Sequence, residues 1–159
     1  MRVYLPATMT LLARWHATGT LPATTAHAVT PTLREWYTSG DAEELEYAAL
    51  LEAADASLHL LAADPGTVRR RVVLAAEVPD TAVRPTPGAR SAVAVPDVQM
   101  GSVVSVHVDD VDAEPDLATA VAVLPAALAG DDDAQFTVDG AGAHDLLWYD
   151  ATEIAALLP

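Results

Sequence analysis

Cysteine, lysine and asparagine are absent from this chain of 159 residues, and phenylalanine and isoleucine occur once each, as Phe136 and Ile154. Without cysteine there can be no disulfide scaffold, no thiolate metal site and no cysteine nucleophile. Without lysine the fixed cations are eight arginines, set against 23 carboxylates for a net charge of −15. That balance argues against direct nucleic-acid binding, where affinity comes largely from cationic side chains on phosphates. Long hydrophobic runs are missing as well. The longest apolar stretch, residues 118–129, is too short to span a bilayer and contains Pro125. The opening MRVYLPATMTLLAR faintly resembles a signal peptide, but Pro6 and Arg14 break its apolar region, and a strand followed by a helix explains it better. No membrane association and a cytoplasmic location are therefore expected.

What is present is apolar enough to fold, since 52% of the residues are hydrophobic. A chain of this length buries about 70% of its unfolded surface without needing staples. The missing residue types are those with AT-rich codons, so the composition reads first as that of a GC-rich genome. The acidity would also suit a salt-adapted surface and by itself requires no partner.

Residues 2–5 form a candidate strand, followed by a helix capped by Thr8 and closed by Gly19, and by a second strand at 24–30. That run has the size of a βαβ unit, whose two strands would be parallel. Thr30-Pro31 caps a short helix reaching Tyr37. The longest helix is expected over 42–63, ended by Asp64-Pro65-Gly66, with Tyr47, Leu51, Ala54, Leu58 and Leu61 as its apolar stripe. Strands follow at 70–78, 91–95 and 102–108, the last two as a hairpin around 96–101, while 84–88 reads as a turn. Glu114-Pro115 opens a helix that Pro125 would kink or end. Residues 131–133 make a turn or helix start, 146–149 a last strand and 151–158 a terminal helical turn. These elements predict one α+β domain spanning 1–159: a single mixed β-sheet with helices packed on it, a ferredoxin-like or related α/β sandwich.

Charge is segregated along the chain. Residues 1–64 carry −5, residues 65–108 carry +2 and residues 109–159 carry −12 with no base at all. The only basic cluster is Arg69-Arg70-Arg71. Either the arginines neutralise part of the acidic third, or that third forms a surface that attracts a cationic partner.

Ser105, His107 and Asp109 alternate with valines and share one strand face. Same-face neighbours on a strand lie about 7 Å apart, and a catalytic triad draws its members from separate segments, so no nucleophilic triad is assigned. His107, Asp109, Asp110 and Asp112, with His144 and Asp145 from the last strand, would suit Mn, Mg or Ca. They lack any recognised ligand spacing, and a strand end running into a solvated acidic turn explains them as well. No metal and no cofactor is assigned. Glu52, Asp55 and His59 lie on one face of the long helix, expected as an exposed polar face, and His16 and His27 as surface or edge residues. Trp36-Tyr37 and Trp148-Tyr149 combine apolar bodies with polar edges, a composition found at interfaces as well as in cores.

The chain resembles a family of short, acidic actinobacterial proteins classed as a domain of unknown function. The resemblance is carried by Met1-Arg2-Val3-Tyr4-Leu5-Pro6-Ala7-Thr8, Leu33-Arg34-Glu35-Trp36-Tyr37, Glu44-Leu45-Glu46-Tyr47, residues 70–75, His107-Val108-Asp109-Asp110 and Leu146-Leu147-Trp148-Tyr149. It implies a cytoplasmic single domain and supplies no catalytic residues.

Three functional classes follow. The first is a non-catalytic binding or protein-interaction module, engaging a protein partner or forming a homodimer through Trp36, Tyr37, His107, Asp109, Asp110, Trp148 and Tyr149. The second is a divalent-metal-assisted, hydrolase-like enzyme using His107, Asp109 and Asp110. The third is a nucleic-acid mimic, which would need the late carboxylates in a regular surface stripe.

Overall fold

A computed structural model describes residues 1–159. The elements run β1 (Arg2–Ala7), α1 (Met9–Thr18), β2 (Thr20–Leu21), β3 (Thr24–His27), α2 (Pro31–Trp36), α3 (Ala42–Ala63) and β4 (Val72–Glu77). They continue with β5 (Arg84–Pro85), β6 (Ala92–Val95), β7 (Val98–Gln99), β8 (Val103–Asp109), α4 (Glu114–Leu128), α5 (Asp132–Gly142), β9 (Leu146–Asp150) and α6 (Ile154–Leu157).

The local signals set the element ends. Thr8 accepts from the Leu11 amide, Thr30 from the Leu33 amide, and Gly19 closes α1 with a φ of 79°. Asp41 and Glu44 form a reciprocal capping box at the start of α3. Pro125 does not end α4, which runs on to Leu128; the proline removes the one amide donor that would meet the Val121 carbonyl.

Seven strands form one sheet in the order β5-β6-β3-β1-β4-β8-β9, and β2 pairs separately with β7. The fold is α+β with helices on the sheet, but every strand pair is antiparallel, so the expected mixed sheet and parallel β1/β3 pair are corrected. Tyr4 lies opposite His27, so β3 starts beside the end of β1; the α1–β2 excursion returns the chain to the edge it left. The crossover comes one helix later. β3 and β4 both run antiparallel to β1 and flank it, and α3 joins them across its face: a split βαβ unit of the ferredoxin-like kind.

The expected hairpin of β6 with β8 does not form either. β6 pairs with β3, β8 pairs with β4 and β9, and the segment between them turns aside so that β7 can bond to β2. Arg84 and Pro85 pair at the rim of the sheet, where a missing N–H does no harm.

Strand alternation divides the core. Val3, Leu5, Leu74 and Val106 face one side, packed with Leu12 and Trp15 of α1 and Ile154 of α6. Tyr4, Val73 and Ala75 face the other, under Leu45, Ala49 and Ala53 of α3 and Leu33 of α2. The α4–α5 hairpin packs on the C-terminal half of α3 through Leu58, Leu61, Leu117, Leu124 and Val138. The inner face of α3 is therefore turned from the expected stripe: Tyr47 and Leu51 are exposed, and small residues at 48, 49, 53, 54 and 57 lie inward. Small side chains give a helix close approach to a sheet. No helix is long and apolar enough to cross a membrane.

Ser57 is fully buried and joins three elements: its hydroxyl donates to the Ala7 carbonyl at 2.7 Å and accepts from the Val72 amide at 3.0 Å. Ser57→Ala leaves that amide without a partner and should destabilise the chain by about 1–3 kcal/mol, read as a lower urea midpoint with an unchanged slope.

Candidate functional site

The seven residues singled out by sequence do not converge. Trp36 and Tyr37 lie at the end of α2, on the α3 side of the sheet. His107 and Trp148 are cross-strand partners on β8 and β9. Tyr149 is half-buried against the opposite core, beside α1 and α6. Asp109 and Asp110 are held by local structure, each in a different way.

Asp109 is wholly buried in a bidentate pair with Arg71, with Nε to Oδ2 at 2.9 Å and Nη2 to Oδ1 at 2.8 Å. The Arg71 amide donates to the same carboxylate, and Arg71 Nη2 also reaches the His144 carbonyl at 2.9 Å. Arg70 donates to the Asp109 carbonyl, and Arg69 to the carbonyls of Leu61 and Asp64 at the end of α3. The basic cluster thus ties the C-terminus of α3, the end of β8 and the start of β9 together. With both Asp109 oxygens bonded to Arg71, the ligand set proposed around His107 is not assembled, and no group of three or more His, Asp or Glu side chains has metal-binding geometry.

The other late carboxylates lie mostly at helix starts. Asp110 caps the 3-10 turn Val111–Ala113, and Glu114 and Asp116 sit in the first turn of α4. Asp131 caps α5, with Asp132 and Asp133 following, and Asp150 with Glu153 forms the capping box before α6. Carboxylates there accept free amide N–H groups and oppose the positive helix end. Nine of the twelve carboxylates in residues 109–159 are spread over three separate helix starts.

Ser105 and His107 do touch, Oγ to Nε2 at 3.4 Å, because the ring reaches back along the strand. Asp109 faces Arg71 instead, and Ser105 is buried, so the trio has no triad geometry.

A different group of side chains does converge, around a groove of about 720 Å³ between α3 and the β3–β6 edge of the sheet. The groove is walled by Tyr37, Ala48 and Leu51, and polar groups reach it from His27, Glu52, Asp55, His59 and Arg90. Fully buried Ser91 donates its hydroxyl to Glu52 Oε2 and bonds His27 Nδ1 at 2.8 Å. Arg90 Nε meets the other Glu52 oxygen at 3.1 Å, and its guanidinium lies 4.7 Å from the centre of the Trp36 ring. Thr30 Oγ1, already the cap of α2, donates to the Arg90 carbonyl and fixes that corner. On α3, Asp55 and His59 form an i,i+4 pair at 3.8 Å.

This network sets a tautomer. The Glu52 carboxylate takes the Ser91 proton, so Ser91 Oγ presents a lone pair to His27, and Nδ1 carries the ring hydrogen. Burial pushes the His27 pKa below 6.5 against the pull of Glu52 and Asp55, which favours the neutral ring. Nε2 is then a bare lone pair. It has no protein partner and is not sealed from solvent, and His27 lines the groove.

Sequence reasoning missed His27, Ser91 and Arg90, which reach Glu52 only through sheet pairing and the α3 crossover. The available signal was the Glu52–Asp55–His59 face of α3, but Glu52's partner Ser91 lies 39 residues away in the chain.

Two tests follow from the geometry. Arg71→Met strands a buried carboxylate and should cost about 3–5 kcal/mol, whereas Arg71→Met with Asp109→Leu should recover only part of that loss in urea unfolding, because the buried Arg71 amide then lacks its acceptor. Burial holds His27 below 6.5, and burial with the charge of Arg2 does the same for His107. The unfolded chain takes up protons near pH 6.5 while the folded one does not, so stability should fall as pH drops from about 7.5 through 6.5 to 5.5. The urea midpoint should track that fall, less steeply in His27→Gln.

No curated protein and no solved structure gives a significant match to the sequence. A family model covers residues 1–158, and the chain belongs to that family, the Family of unknown function (DUF6912).

Proposed function

We propose that the protein is a non-catalytic binding domain and that its ligand lies in the groove over α3. The observation that carries this is the His27–Ser91–Glu52–Arg90–Trp36 network, which preorganises polar groups at the edge of a half-apolar recess. A preorganised site loses less conformational freedom when it binds. Ser91 argues for binding over acyl transfer. It is fully buried, its proton goes to Glu52, and His27 meets it as a donor rather than as a base.

The earlier idea of an acidic recognition surface draws no support from carboxylates spread over helix starts. A metal-assisted reaction at His107, Asp109 and Asp110 draws none from an Asp109 engaged by Arg71.

The test is an NMR screen of the full chain with small polar fragments of either charge and none. Shifts should gather on Tyr37, Leu51, Asp55 and His59, and every fragment should be recovered unchanged. Leu51→Arg, on an exposed site, should abolish those shifts while altering stability by no more than about 0.5 kcal/mol. Shifts confined to another surface, or turnover of a fragment, would overturn the proposal.

A further inference from the structure

The groove's chemistry goes further and names the head group of its ligand; this step rests on the groove being the binding place. We infer that the site takes a primary alkylammonium group, whose N–H donors bond His27 Nε2 and the Asp55 carboxylate while its carbon stem lies along Tyr37 and Leu51.

The first reason is the direction of the hydrogen bonds. His27 is about nine-tenths buried, its Nδ1 is committed to Ser91, and its unpartnered Nε2 offers a lone pair. A carboxylate or phosphate oxygen arriving there would bring a second lone pair against the first. An N–H donor completes the bond.

The second reason is charge. Arg90, the cation at the groove, is already paired with Glu52 and stacked on Trp36. Asp55 is two-thirds exposed, and the side chain paired with it is His59, at 3.8 Å, not an arginine. The groove therefore holds one carboxylate without a permanent counterion, within a chain of net charge −15 whose field draws cations inward.

The third reason is the wall. Tyr37, Ala48, Leu51 and Ala56 line the recess with apolar surface next to the acceptors. That suits a methylene stem ending in a charged head. An ammonium with three hydrogens can serve Nε2 and Asp55 together, whereas a quaternary ammonium can serve neither as donor.

The experiment titrates the full chain with 1,5-diaminopentane, its bis-trimethylammonium analogue, 1,5-pentanediol and glutarate, reading the His27 side-chain nitrogens by NMR. The diamine should move Nε2 and bind at least about tenfold more tightly than the quaternary or neutral analogue, as expected for loss of a charge-assisted hydrogen bond. Asp55→Asn should weaken the diamine by a similar factor. His27→Phe, which offers no acceptor, should shrink the preference for N–H over N-methyl and leave the part that Asp55 supplies. Asp55 is exposed, so its variant stays informative if the His27 variant fails to fold.

Equal affinity for the quaternary analogue, or tighter binding of glutarate, would overturn the ammonium assignment while leaving the groove as a binding place. Silence at every groove resonance for all four probes and for the fragment set would remove both. N-acetyl-lysine N-methylamide, run beside the diamine, separates the two sources of this head group: tighter binding of the amide assigns a partner's lysine side chain, tighter binding of the diamine a free amine.

Discussion

Small side chains on the inner face of α3 let a 22-residue helix lie close over β1, and the rest of the molecule is arranged around that approach. Ala49, Ala53 and Ala54 present little bulk to the sheet, and Ser57 bonds both β1 and the start of β4. With the helix placed so, Glu52 comes within reach of Ser91 and Arg90 at the far edge of the sheet. The opposite flank of α3 is then free to receive the α4–α5 hairpin on Leu58 and Leu61. A bulky residue at 49 or 53 would lift the helix and separate Glu52 from its partners, since dense packing leaves no room to absorb added volume.

Much of the local structure is legible in the sequence because it depends on neighbours in the chain. Asp41 and Asp64-Pro65-Gly66 bracket α3, Thr8 and Gly19 bracket α1, and Thr30-Pro31 opens α2. The pairing of strands is another matter. β6 and β8 are close in sequence and look like a hairpin, yet β3, β1 and β4 stand between them in the sheet. Nothing within either strand encodes that separation. It follows from α3 carrying the chain across β1, and from β7 being drawn off to β2.

The site was less legible than the fold, for the same reason. Trp36 and Tyr37 stand beside the groove, as polar-tipped aromatics at a surface would suggest. His27 looked isolated because its partners, Ser91 and Glu52, arrive from β6's approach and from α3. The acidic third has a local explanation. Its density suggested a recognition surface, but most of it lies at caps and first-turn positions, where Asp110, Asp131 and Asp150 accept amides of their own helix starts. Arg69, Arg70 and Arg71 likewise belong to the frame, holding carbonyls and one buried carboxylate.

The two rims of the large sheet differ in kind. β5 is two residues long and ends on Pro85, so a further strand finds few amides to bond there. β9 runs for five residues, carries the exposed Leu147 and Trp148, and is paired on one side by β8. Any sheet extension by copies of this chain would therefore be one-sided. Two molecules joined at β9 would each turn a proline-stopped margin outward, and the ribbon would end at a pair instead of propagating into a fibre.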